Sequence, residues 1–171
     1  MKAIALIAVA LTTPAGAEVV TASSHGFEVL ETTSVDSLPP EAFAAFGRVA
    51  SWWDPEHTYS GSAANLTLDA EPGGCFCERL PKGGGIQHMR VTYVDPGKRM
   101  VLTGSLGPLL FLSTTGVMDV IFEPAGNGTK LSVDYRAAGF FNGGADKIAP
   151  VVDQVLAAQV SRLKAYLAMT R

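Results

Sequence analysis

Residues 118–136, MDVIFEPAGNGTKLSVDYR, carry the pattern that decides the fold class. Apolar side chains occupy every second position on both sides of Gly-Asn-Gly at 126–128, a sequence typical of a tight turn between two strands. The alternation and the turn together predict an antiparallel hairpin with one face towards the core. The inward positions are Met118, Val120, Phe122, Leu131, Val133 and Tyr135.

The rest of the chain extends this pattern in both directions. Residues 20–26 read as a polar lead-in, and Pro39 and Pro40 favour the start of a helix that runs to Val49. After the hairpin, apolar residues recur at helical spacing between Ile148 and Leu167 and predict a long amphipathic helix over 146–169. Strand patterns bounded by turn residues cover 27–35, 66–68, 75–80, 86–94 and 100–103.

This order of elements predicts an α+β domain in which the C-terminal helix covers the apolar face of an antiparallel sheet. The 171 residues are 47% hydrophobic and 17% charged, which is enough apolar material for the core of one domain. The net charge of -3, without a basic run, gives no reason to expect binding to nucleic acid.

The N-terminal residues have the order of a secretory signal peptide: Lys2, an apolar run over 3–11, and small residues up to Ala17. We expect cleavage after Ala17, which leaves a single domain of residues 18–171 in the periplasm or outside the cell. The apolar run is shorter than the roughly 20 residues of a spanning helix, and no later segment supplies one. Glu18, rather than a cysteine, follows the expected cut, so no lipid anchor is indicated.

Several motifs in a fixed order resemble the SRPBCC superfamily, also called START-like or polyketide-cyclase-like. They are Pro40-Glu41 with Phe43 and Phe46, the pair Trp52-Trp53, Gly73-Gly74-x-Phe76, and VDPGKRMVL at 94–102. Within the superfamily, the chain looks most like the branch named after the activator of the heat-shock chaperone ATPase.

The resemblance implies a helix-grip fold, in which a curved antiparallel sheet wraps around the long C-terminal helix and leaves an internal hydrophobic cavity. Members of the superfamily hold lipids, sterols, polyketides or other apolar molecules there, and the resemblance implies no shared catalytic set and no cofactor. An exported protein does not meet a cytosolic chaperone, so a co-chaperone role is not expected. The chain also lacks the Gly-x-x-x-x-Gly-Lys-Ser/Thr motif of an ATPase.

The leading hypothesis is therefore an exported binding protein for a small hydrophobic molecule. The alternatives are a cyclase- or hydrolase-type enzyme, with His57 and a tyrosine as acid-base partners, and a protein-interaction module. Residues 105–115 are unusually apolar for a connection and are either a lid or packed strand ends. Candidate ligand-binding residues are Trp52, Trp53, His57, Tyr59, Tyr93, Phe122 and Tyr135. Core packing also explains the tryptophans and the strand residues among them, and a ring in solvent or bonded to the backbone also explains His57.

Cys75 and Cys77 allow three interpretations. In the resembling families Phe76 points inward, which would send both sulfurs outward. If Cys77 lay opposite His88, two thiolates and an imidazole would form a surface suited to zinc or copper. The other interpretations are a disulfide between neighbouring residues and two reduced cysteines.

Overall fold

The predicted hairpin forms the centre of the sheet in the computed structural model, which describes residues 17–170. Met118 faces Tyr135, Val120 faces Val133 and Phe122 faces Leu131. All six side chains are buried. The strands are β1 Ala17–Ala22, β2 Gly26–Val35, β3 Leu66–Leu68, β4 Cys75–Arg79, β5 Gly85–Asp95, β6 Arg99–Gly104, β7 Thr114–Ala125 and β8 Gly128–Gly139.

The eight strands found within residues 17–170 form one antiparallel sheet in the order β1-β2-β8-β7-β6-β5-β4-β3. Residues 20–26 were expected to be a polar lead-in, but residues 20–22 of this segment belong to strand β1. It pairs only with β2 at the edge of the sheet, and Glu18, Val20 and Thr21 are exposed. A strand whose residues are mostly in solvent shows no clear alternation, and for this reason the sequence did not reveal it.

In the described part of the chain, two α-helices pack on the inner face of this sheet: α1 Pro39–Gly47 and α2 Ala149–Met169. The Glu41 carboxylate accepts the Leu38 backbone N–H at 3.0 Å, which satisfies a free donor at the start of α1. The apolar stripe of α2 lies over β1 and β2, with Leu156, Leu163 and Leu167 buried. These contacts confirm the predicted α+β helix-grip architecture.

Two irregularities in β5 determine which of its side chains face inward. The pairing with β4 shifts between Phe76 and Cys77, so His88 is an extra residue, and both His88 and Met89 are buried. The pairing with β6 shifts in the same way beside Thr92. An extra residue of this kind reverses the alternation of the residues beyond it.

The shift beside Thr92 corrects one predicted site residue. Period-two alternation along residues 86–94 predicts that Tyr93, a candidate ligand-binding residue, points inward together with Val91, yet its side chain is 49% exposed. It lies near Arg99, whose guanidinium carbon is 5.9 Å from the centre of the tyrosine ring. The alternation of apolar and polar residues could not show this change, because no residue type in β5 marks the position of the bulge.

The signal-peptide prediction concerns residues 1–17, of which 1–16 lie outside the described part of the chain, and it stays a prediction. Among residues 17–170, no helix combines the length and the hydropathy needed to cross a membrane.

Candidate functional site

A pocket of about 470 Å³ lies between the sheet, the first turns of α2 and two connecting segments, residues 53–59 and 106–112. Its wall is almost entirely apolar. Phe76 and Tyr135 contribute from the sheet, and Val152 and Leu156 contribute from α2. The few polar side chains at its surface are Glu56, His57, Thr58, Tyr59, His88 and the hydroxyl of Tyr135.

The apolar connection after β6 forms one side of this pocket. It folds into a 3₁₀ turn over Gly107–Phe111 instead of continuing β6 or β7. Leu106, Leu109 and Leu112 line the pocket, whereas Phe111 is 71% exposed. Residues 107–111 are therefore not the end of a strand, and the segment borders the pocket, which is the position that the lid interpretation requires.

The segment after α1 brings Trp53 and His57 to the opposite side. The Trp53 ring packs edge-on against Phe76, with centroids 5.4 Å apart, and its indole N–H donates to the His57 carbonyl at 3.1 Å. The Nδ1 atom of His57 lies 3.0 Å from the side-chain nitrogen of Gln159. The oxygen of the same amide accepts the Asp54 N–H at 2.8 Å, so Gln159 ties this segment to α2.

A buried pair, Glu78 and His88, lies at the pocket wall, which His88 lines. Glu78 is 1% exposed and His88 is 5% exposed, and the Nε2 atom of the imidazole is 3.1 Å from Oε2 of the carboxylate. The other carboxylate oxygen accepts the Ser60 backbone N–H in a short hydrogen bond. The ring of Tyr59 stacks on the imidazole at a centroid distance of 6.1 Å.

This environment fixes the protonation of the pair. Burial lowers the pKa of His88, and the hydrogen bond and charge of Glu78 offset this only in part. Burial alone would raise the pKa of Glu78, but hydrogen bonds from Ser60, Tyr59 and His88 keep it below its ordinary value. At neutral pH the arrangement is therefore a carboxylate that accepts a hydrogen bond from the N–H of a neutral imidazole.

Tyr135 is fully buried at the inner end of the pocket. Its hydroxyl oxygen accepts the Leu106 backbone N–H at 3.2 Å, which connects the sheet to the segment after β6. Burial raises the pKa of Tyr135 to about 12, so the side chain stays a neutral phenol and keeps its own hydrogen for donation.

Comparison with known proteins decides the family. Residues 41–168 match the family model described as activator of Hsp90 ATPase homolog 1-like protein. The chain belongs to this family. None of the curated proteins compared with the chain matches it.

Solved structures of the same fold include a putative uncharacterized protein from Rhizobium leguminosarum. That protein is 18% identical with a TM-score of 0.63, and the match covers 87% of this chain and 99% of the other. CalU16 from Micromonospora echinospora is 12% identical with a TM-score of 0.58, and the match covers 88% and 83% of the two chains. At these identities the likeness shows the fold alone, which agrees with the helix-grip architecture of the activator-like family.

Within this family fold, four of the seven predicted ligand-binding residues line the pocket: Trp53, His57, Tyr59 and Tyr135. Trp52 instead packs into the core, with its ring 5.7 Å from that of Phe46 and its indole N–H bonded to the Ala45 carbonyl. Phe122 lies below α1, against Phe43 and Phe46. Tyr93 lies on the opposite face of the sheet, as described above.

The cysteines form a disulfide between Cys75 and Cys77. Cys77 pairs with Gln87 rather than with His88, because His88 is the extra residue of the bulge. The His88 ring lies beside the buried Phe76, at a centroid distance of 5.2 Å, and thus on the inner face of the sheet. The bonded sulfurs and the inward imidazole overturn the geometry on which the metal hypothesis rested, and no candidate metal cluster occurs within residues 17–170.

Sequence reasoning did not identify Gln159 or the partnership of Glu78 with His88. Gln159 carried a usable signal, since a polar residue lies among the buried positions of the α2 stripe between Leu156 and Val160. Glu78 carried a weaker one, because it shares the inward parity of Phe76 in β4. The role of the Glu78 carboxylate depends on its hydrogen bonds with Ser60 and His88, which only the folded chain brings together.

Proposed function

We propose that this protein is an exported binding protein that holds a small, mostly apolar molecule in the pocket between the sheet and α2. The observation that carries the proposal is the pocket of about 470 Å³ with an apolar wall and few polar groups. Pockets for small molecules are typically about 300–1,000 Å³ and have this composition.

The way in which α2 packs supports the proposal. In its C-terminal half Val160, Leu163 and Leu167 are buried against the rest of the core. In its first turns Val151, Val152 and Val155 line the pocket instead. Apolar side chains that border a space of this size gain from an apolar occupant, which removes them further from water.

The pocket assignment predicts that 1-N-phenylnaphthylamine, an uncharged fluorescent probe, binds in a saturable way. Replacing Val152 with tryptophan fills the pocket from α2 and should weaken probe binding at least about tenfold, because an ordered protein wall does not expand freely. The measurement is a fluorescence titration at constant protein concentration.

Gln154→Trp is the matched control, because Gln154 is exposed on the same helix and is not part of the pocket wall. We expect this variant to bind the probe as the unchanged protein does. Equal affinity in all three proteins, or probe binding that persists in denaturant, would show that the probe does not occupy the pocket.

Export is supported by two separate features, the N-terminal sequence and the Cys75–Cys77 disulfide. Disulfides persist mainly in oxidising compartments outside the cytoplasm. The two features are independent, because the disulfide lies far along the chain from residues 1–17.

Export predicts that the mature protein begins at Glu18 when the full sequence is expressed in a bacterium with a periplasm. N-terminal sequencing of the periplasmic fraction checks this. Replacing both Ala15 and Ala17 with leucine should block cleavage, because signal peptidase requires small side chains there. Recovery of soluble cytoplasmic protein that starts at Met1 or Lys2 would rule out export.

A further inference from the structure

The His88 imidazole presents a hydrogen-bond acceptor that no side chain or backbone group of residues 17–170 satisfies. Its Nδ1 atom is buried and has no partner among the described residues. His88 as a whole is 5% exposed, and it lines the pocket. Buried polar atoms are nearly always hydrogen-bonded, so an unpartnered one at a pocket wall indicates a group supplied by a ligand.

The position of the proton on this ring follows from its neighbours. A carboxylate has only acceptors, and Oε2 of Glu78 lies 3.1 Å from Nε2 of His88, so Nε2 carries the hydrogen. The neutral ring has a single N–H, which leaves a lone pair on Nδ1. The ligand must therefore bring a donor, and an ether or ketone oxygen would face that lone pair without a hydrogen bond.

Tyr59 is the less tightly packed aromatic neighbour of the imidazole. The imidazole lies beside Phe76, which is 3% exposed and fixed in the core, and it stacks with Tyr59, which is 43% exposed. Tyr59 is the neighbour that loses less packing when it rotates. Its rotation would uncover more of the imidazole towards an occupant of the pocket, which His88 already lines.

We infer that the ligand is an apolar alcohol or phenol whose hydroxyl donates a hydrogen bond to Nδ1 of His88. This inference rests on the proposed binding function and specifies the chemical class of its ligand. Glu78 acts as a positioning residue: held by the Ser60 N–H, it fixes the tautomer that makes His88 an acceptor.

The test compares 2-naphthol with 2-methoxynaphthalene, which differ only at the hydroxyl, by displacement of the fluorescent probe. The quantity compared is the affinity for the naphthol divided by the affinity for the methyl ether. This ratio should be about tenfold larger in the unchanged protein than in His88→Phe, which keeps a ring but has no acceptor. His25→Phe, at an exposed site outside the pocket wall, should leave the ratio unchanged.

Glu78→Gln gives a second and sharper variant. The Ser60 N–H requires the oxygen of the new amide, so the amide NH₂ group turns towards Nε2 of His88. The ring hydrogen then moves to Nδ1, which becomes a donor, and the preference for the naphthol should disappear. Glu28→Gln, outside the pocket, is the matched control.

Nitrogen-15 NMR of the His88 ring reports the tautomer directly and needs no ligand. We expect a hydrogen on Nε2 in the unchanged protein and on Nδ1 in Glu78→Gln. A hydrogen on Nδ1 in the unchanged protein overturns the inference, as does an affinity ratio that is the same in the unchanged protein and in both variants. If the probe binds and only the ratio fails, the ligand class is wrong; if no apolar compound binds, the proposed function fails with it.

Discussion

Replacing Trp52 with alanine should lower the free energy of unfolding by about 3–5 kcal/mol. The side chain is 4% exposed, and its ring contacts those of Phe46 and Trp53 at centroid distances of 5.7 and 5.5 Å. The change removes this packing, leaves a cavity and frees the Ala45 carbonyl from its indole donor. Urea denaturation followed by circular dichroism measures the loss.

Tyr93→Ala is the comparison, because both aromatic residues had the same expected role and the structure separates them. Tyr93 is 49% exposed, so its removal should cost less than about 1 kcal/mol and leave probe affinity unchanged. A similar loss of stability in the two variants would contradict the bulge beside Thr92 and would mean that Tyr93 points inward.

Glu31→Gln should stabilise the protein at pH 8 by about 2 kcal/mol and change its stability little at pH 5. Glu31 lies on the inner face of β2 and is 4% exposed. Burial, followed by the charge and hydrogen bonding of Asp153 on α2, raises the pKa of Glu31 to about 7. Glutamine resembles the protonated carboxyl group, so it removes the cost of burying a charge without removing the side chain.

The sign of this pH dependence follows from the folded and unfolded states. The pKa rises from 4.5 in the unfolded chain to about 7 in the folded one, so between these values the folded state holds the proton more tightly. The stability contributed by the protonated group is fully present below about pH 4.5 and is lost as the pH rises through about 7.

Urea denaturation at pH 5 and pH 8 measures the free energy of unfolding of the unchanged protein and of Glu31→Gln. Glu28→Gln serves as the control, since position 28 lies on the opposite face of the same strand, and it should shift stability equally at the two pH values. A gain in Glu31→Gln of the same size at pH 5 and pH 8 would contradict the account.

The elements that the sequence predicted well are those with a long, uninterrupted period. The hairpin at 118–136 and the stripe of α2 each repeat over several turns or pairs, so local composition is sufficient to place them. Trp53, His57 and Tyr59 could be proposed for the pocket because their aromatic and polar groups are close together in the chain.

The features that the sequence could not show depend on single extra residues in a strand or on contacts between residues far apart in the chain. The extra residues at His88 and Thr92 change the facing of β5 without a compositional mark. The pairing of Glu78 with His88 requires the alignment of β4 with β5, and the bond from Ser60 requires a connecting segment to pass over both. Long-range register of this kind is decided by tertiary packing.

The arrangement of α2 also bears on how this protein can diverge. Residues that anchor the helix, such as Leu163 and Leu167, lie about two to four turns beyond the pocket residues Val152 and Val155. Mutations that far apart contribute to stability almost independently. Side chains in the first turns of α2 can therefore be exchanged, and the shape of the pocket changed, while the anchored half of the helix keeps the domain folded.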